Sequence, residues 1–307
     1  MYNVSWEVTA LDITKTIELF IDETTSEKTI KTLLRNHIGI SAAILTKLKK
    51  YPDGILVNGV HQNVNYILKN GDKLCINIRD NASQNIEPIN IPIDILFEDD
   101  EIIAVNKPRN MPTHPSQNHH GDTLANGVMY YYKNTSFTFR PITRLDRDTS
   151  GVVLIAKNQF SASVLSEQMQ NLKIQKQYIA VCHGIFENTA GVIDEPIARL
   201  DGSGILREVS EAGKTAVTDY EVISEKNNLT LVKLFPKTGR THQLRVHLSH
   251  IGHPIYGDDL YGSPVKDKKT LLHCEKICFI HPKTNENTEI VAKIPEDITE
   301  NIIIDKT

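Results

Sequence analysis

The chain has 307 residues, 40% of them hydrophobic and 23% charged, with a formal net charge of −4. That is a soluble globular composition, long enough for two domains, one of them small. No apolar run approaches the roughly 20 residues of a membrane span, and the amino-terminal stretch MYNVSWEVTALDITKTIELF lacks the basic flank and apolar block of a signal peptide, so a cytoplasmic location without membrane contact is expected.

Residues 1–12 alternate like a strand, with Val4, Trp6, Val8 and Ala10 on one face. Thr29 to Leu34 reads as a short helix carrying Ile30, Leu33 and Leu34. A second helix follows Ser41, a good N-cap, and carries Ile44, Leu45 and Leu48. Asn58-Gly59 is a hairpin turn between two short strands, and Asn70-Gly71-Asp72 is another turn before KLCINIRD. The polar, proline-bearing run 80–92 reads as a linker. The divisions adopted are a module over 1–85, a linker over 86–92 and a larger domain over 93–307.

In the larger domain IDILFEDDEIIAVNKP predicts two strands around the acidic turn Glu98–Glu101, and GVVLIAKN a buried strand. FSASVLSEQMQNLKIQ predicts a helix with Phe160, Val164, Leu165 and Met169 on one face. QYIAVCHGIF, TAVTDYEVISE and LTLVKLFPKTG predict strands, and Gln243–His250 a helix. Strands outnumber helices without alternating with them. The fold class is therefore α+β, with a largely antiparallel mixed sheet.

Four scattered cysteines, Cys75, Cys182, Cys274 and Cys278, make no disulfide framework. Cys274, Cys278 and His281 match no zinc spacing, so no metal is expected. The charge is unevenly placed. Residues 31–50 hold Lys31, Arg35, Lys47, Lys49 and Lys50 and no acid; residues 235–253 hold Lys237, Arg240, Arg245 and four histidines and no acid. Two local basic surfaces can bind phosphate under a net negative total, and solvated helix faces are the plainer reading.

The sharpest segment is PITRLDRDTSGVVLIAKN, residues 141–158. A charged run leads through Thr149-Ser150-Gly151 into a buried strand, where small residues permit a tight turn and close approach of a substrate. A charged surface loop is the bland alternative. A phosphotransferase reading of Asp146-x-Asp148 fits poorly, because no hydrophobic strand precedes it and Thr149 falls one position early.

The segment resembles the signature of the RluA/RluD-type pseudouridine synthases, H-R-L-D-x-x-T-S-G before a hydrophobic strand. Arg144, Leu145, Asp146, Thr149, Ser150 and Gly151 match, and Thr143 stands where histidine is usual. Further elements follow in the family's order: Asn106-Lys107-Pro108, with Asn110 at a usual glycine; Lys176-Gln177-Tyr178; Gly239 to His247; Gly252 to Ile255 with Gly257-Asp258; and His273, Ile277, Phe279, His281 and Pro282. The amino-terminal module resembles an S4-like RNA-binding domain in its helix pair, its basic second helix, Val57–Gly59 and Gly71–Asp72, although Ala42 and Ala43 occupy the place of an arginine often found there.

The resemblance implies an isomerase that breaks the N1–C1′ bond of uridine, rotates the base and rejoins it through C5, with no cofactor. It implies that Asp146 is the essential carboxylate, adding to C1′ as a nucleophile or taking a proton from C2′ as a base. Arg245 is implied as its cationic partner, Tyr178 as the residue against the uracil, and Arg144 as the group that fills the gap left by a flipped uridine. Arg240 and Lys176, with Lys47, Lys49 and Lys50 on the module, are the further RNA-binding candidates. The expected partner is structured RNA rather than DNA, first large-subunit ribosomal RNA and otherwise transfer RNA, and a monomer is expected. A non-catalytic RNA-binding protein and a glycosidic-bond hydrolase are the alternatives; free uracil among the products would mark the latter.

Overall fold

A computed structural model describes residues 13–79, 86–265 and 269–300. The strand expected over 1–12 lies outside the described residues. In chain order the elements are β1 (Ile13–Phe20), α1 (Ile30–Asn36), α2 (Ala42–Leu48), β2 (Ile55–Val57), β3 (Val60–His61), β4 (Lys73–Arg79), β5 (Asp94–Glu98), β6 (Ile102–Lys107), α3 (Leu124–Tyr131) and β7 (Arg140–Pro141). Then come β8 (Ser150–Ala156), α4 (Gln159–Gln170), β9 (Gln175–His183), β10 (Ala190–Asp194), β11 (Ile197–Arg199), β12 (Arg207–Val209), β13 (Val217–Lys226), β14 (Leu229–Pro236), α5 (Gln243–His250), β15 (Leu272–Ile280), β16 (Asn287–Val291) and α6 (Glu296–Glu300).

The amino-terminal part is a four-stranded antiparallel sheet, order β1-β4-β2-β3, with α1 and α2 packed on it. Each helix starts where a hydroxyl can accept an end N–H: Thr29 from Thr32 and Ser41 from Ile44. Ile30, Leu33, Leu34, Ile44, Leu45 and Leu48 then turn inward, as their spacing requires. The hairpin turn has positive φ at both Asn58 and Gly59, which keeps the short β2–β3 pair twisted in the right-handed sense.

The larger part is built on a ten-stranded sheet, with the path β10-β13-β14-β9-β15-β8-β6-β5, β16 pairing β15 and β7 pairing β8. The β15–β8 pair is parallel and the other pairs are antiparallel, so this is the mixed, largely antiparallel sheet of an α+β fold. Every residue of β8 is buried, which is why SGVVLIA runs apolar without alternation. Gly151 is required at its start. Its φ is +115°, and a Cβ there would stand 2.1 Å from the Cys274 carbonyl oxygen of β15.

Two segments carry more contacts than their sequence announces. Residues 86–92 form no element, yet they are docked: Ile86 is buried, the Ile89 N–H donates to Asn126 O, and Asn126 Nδ2 donates to Glu87 O. The run contains isoleucines that α3 covers, and its prolines and polar residues hid them. The apolar positions of α4 do not share one core. Phe160 and Val164 pack into the amino-terminal cluster, whereas Leu165 and Met169 pack into the large one. One helix seals both because each cluster presents an open side to it.

Candidate active site

The loop before β8, the start of β9, the end of β14 and the first turns of α5 enclose a cleft of about 270 Å³. Arg144, Asp146, Lys176, Tyr178, Arg240 and Arg245 all line it, although they span 102 positions of sequence, from 144 to 245. Lys47, Lys49 and Lys50 are exposed on the amino-terminal part and do not line the cleft.

Asp146 is held by its backbone. Thr113 Oγ1 donates to Leu145 O at 2.8 Å and accepts from Leu145 N at 3.2 Å, and the Thr149 N–H donates to Asp146 O at 3.2 Å. Thr143, in place of a histidine, is buried, and its Oγ1 accepts from Leu154 N at 3.0 Å, so the loop stays pinned to β8. Among the described residues no side chain hydrogen-bonds the Asp146 carboxylate. Its charge acts on Lys107, Tyr178, His242 and Arg245.

Lys107 carried no expected role beyond its place in the Asn106-Lys107-Pro108 element. It is wholly buried, and its Nζ donates to the carbonyls of Pro108, Met111 and Arg147 at 2.8, 2.7 and 3.2 Å. One ammonium thus ties the turn after β6 to the Asp146 loop. Burial pushes its pKa down to about 7 against the opposing pull of Asp146 and Asp148. The turn itself depends on Asn110, whose φ of 60° shows asparagine serving where glycine is usual.

The expected pairing of Arg245 needs correction. Its Nε and Nη2 donate to Asp258 at 2.7 and 2.6 Å. Asp258 is wholly buried, so its carboxylate needs a charged partner more than the half-buried Asp146 does, and the guanidinium fork fits it bidentately. Burial opposes the Arg245 charge, but Asp258, Asp146 and Asp148 outweigh it and raise its pKa. Gly257-Asp258 stood in the motif set without a role; a buried partner four residues after a proline carries no local signal.

The Gly239–His247 stretch becomes legible as a brace. Gln243 Oε1 accepts from Arg240 N and Thr238 Oγ1, while its Nε2 donates to Val217 O and Thr218 Oγ1. His242 caps α5 with a left-handed backbone, φ 58°, and its Nδ1 meets the Tyr261 hydroxyl at 2.7 Å. Arg240 Nε donates to Thr215 O, and Arg245 lies over the Tyr261 ring at 5.2 Å.

Tyr178 is buried against Cys274, and burial raises its pKa well above the ordinary value, so its hydroxyl stays protonated. Lys176 stands across from Gly239, and burial lowers its pKa. Cys274 is therefore a packing partner of Tyr178, and His281 Nδ1 accepts the backbone N–H groups of Lys283 and Thr284.

The cleft sets a carboxylate near buried basic side chains and a protonated phenol, groups suited to proton transfer and to charge stabilisation. Residues 101–250 match the family described as RNA pseudouridylate synthase. The chain is 39% identical over 269 residues to an uncharacterized RNA pseudouridine synthase, YjbO, of Bacillus subtilis (strain 168), covering 86% of this chain and 95% of that one. It is 35% identical over 272 residues to ribosomal large subunit pseudouridine synthase D of Haemophilus ducreyi, covering 83% and 82%. The solved structure of human RNA pseudouridylate synthase domain containing 1 superposes with a TM-score of 0.57 at 25% identity, over 69% of this chain and 86% of that one. The chain belongs to the RluA-type RNA pseudouridine synthases, isomerases whose substrate is RNA.

Proposed function

We propose that this isomerase modifies uridines of large-subunit ribosomal RNA, with Asp146 as the catalytic carboxylate. The observation that carries the reading is the Asp146 carboxylate itself, unbonded to any described side chain and lining the cleft beside Arg245 and Tyr178. A uridine drawn into the cleft brings C1′ and C2′ to that carboxylate, which attacks C1′ or removes the C2′ proton. Arg245, fixed by Asp258, sets a positive charge that interacts with Asp146. Tyr178, held protonated, lies against the uracil and relays a proton, giving its own to N1 and taking the one that leaves C5. Arg144, exposed at the cleft, fills the stack that the uridine leaves. Lys176 and Arg240 take flanking phosphates.

The amino-terminal part serves as an S4-like RNA-binding module through Lys47, Lys49 and Lys50. Ribosomal RNA is favoured because relatives named as ribosomal large subunit pseudouridine synthase D match over most of their length. The test is to map pseudouridines across total RNA from cells with the gene, without it, and with Asp146→Asn. Loss at a ribosomal position in the second and third is expected. Loss confined to transfer RNA overturns the target, and a full signal with Asp146→Asn overturns the carboxylate.

A further inference from the structure

A second cavity, of about 200 Å³, lies between the amino-terminal part and the start of α4. Lys47, Lys50, Tyr51, Asn77 and Arg79 line it from one side and Gln159 from the other, and among the described residues no carboxylate does. Arg79 is its unusual member. Its side chain is only 3% exposed, its Nη2 donates to Asp53 at 2.6 Å, and its guanidinium stacks on Tyr51 at 4.4 Å. Its Nε and Nη1 are buried and, among the described residues, meet no hydrogen-bond partner. Two orphaned N–H-bearing nitrogens on a buried cation are costly unless something accepts from them. Lys47 and Lys50, both exposed, add positive charge at the rim; Lys47 Nζ already reaches Gln159 Oε1 at 3.4 Å.

We propose that this cavity is a phosphate site for the RNA backbone, in which the Arg79 guanidinium takes the phosphate oxygens and Lys47 and Lys50 close over them. A guanidinium held flat by an aromatic ring and a carboxylate keeps each remaining N–H in a fixed direction, and a charge-assisted bond from such a group suits a phosphate oxygen. Gln159 belongs to the catalytic part, so a phosphate held here bridges the two parts and sets the RNA's register across the seam. The proposal rests on the reading of the module as RNA-binding and names where on it one backbone phosphate sits.

The test uses the full chain and a short RNA hairpin, with affinity measured across a salt series. Arg79→Gln and the double variant Lys47→Ala/Lys50→Ala are each expected to weaken binding about tenfold. Each is also expected to lessen the salt slope by about 0.7–0.9 for every phosphate left without its cation. Asp53→Asn keeps an oxygen that accepts from Nη2 and removes the competing negative charge, so it is expected to tighten binding, a gain that misfolding cannot imitate. Unchanged affinity and slope in the double variant, or weaker binding by Asp53→Asn, overturns the site. Inorganic phosphate alone is expected not to saturate; saturation by it with hairpin affinity indifferent to the variants makes this a free-anion site and overturns the RNA assignment. Reversing Lys47, Lys49 and Lys50 together to Glu separates the two readings. If that triple variant binds the hairpin as wild type does, the module reading fails. If it binds weakly while Arg79→Gln and Asp53→Asn have no effect, only the cavity fails.

Discussion

At the residue scale, the proposed function divides catalysis among groups that act by chemistry, by charge and by stacking. Asp146→Asn keeps the volume and loses the charge, so turnover is expected to fall at least about 10²–10⁴-fold, the range of a positioned proton-transfer group, with RNA affinity nearly unchanged; single-turnover assays read this. Asp258→Ala leaves Arg245 buried without its bidentate partner. A loss of about 3–5 kcal/mol in unfolding free energy is expected. A drop in turnover accompanies it, because the released guanidinium is then drawn onto Asp146. Arg144 and Arg245 are told apart by a ratio. Arg144→Ala is expected to slow a stacked substrate more than one whose uridine is already unstacked, whereas Arg245→Ala slows both alike.

The element that matters most is the loop before β8, because it carries Asp146 and is held largely by residues distant in sequence. Lys107 on β6 holds it through Arg147 O, its other two carbonyls lying on the turn after β6, and Thr113 clips Leu145. The Lys107 pKa is lowered to about 7 from an ordinary value of 10.5. Between those values the unfolded chain holds a proton that the folded chain has released, so this group's contribution to stability rises with pH across that window. The difference in Tm between wild type and Lys107→Met should therefore grow in favour of wild type from pH 7 towards pH 10; a flat difference would count against the lowered pKa.

At the scale of the whole molecule, α4 and Glu101 join the two parts. Phe160 and Val164 enter the amino-terminal cluster, Ser41 N donates to Ser163 Oγ at 3.0 Å, and Lys15 pairs with the buried Glu101. Burial raises the Glu101 pKa, but bonds from Lys15, Ser161 and Asn158 outweigh it and leave it below 4.5. The stability it supplies is complete above pH 4.5 and is lost as pH falls through the lowered folded value. Glu101→Gln is expected to lower Tm at neutral pH and to blunt the acid sensitivity of the wild type. Removing the amino-terminal part bares Phe160 and Val164, so the truncated chain should bind ANS and melt earlier. Phe160→Ser in that truncation should reduce the ANS signal, and no such signal in the parent truncation would mean that the seam is dispensable.

The sequence by itself determined the helices at Thr29 and Ser41, the turn at Asn58-Gly59, the buried run of β8 and the ordered motifs that bring six residues to one cleft. These are local or repeated signals: caps, spacing, positive-φ turns and unbroken apolar stretches. It did not show α3, where Thr123 and Asn126 cap each other inside a segment with little apolar periodicity. Nor did it show the small strands β10 to β12, which bury at most one residue each, too few to make a pattern. Only the tertiary structure decided that Arg245 binds Asp258, that Lys107 holds the Asp146 loop and that α4 serves two cores. Each of these depends on which groups lose water together when distant segments meet, and the free energy of a buried charge is set by that company rather than by its neighbours in the chain.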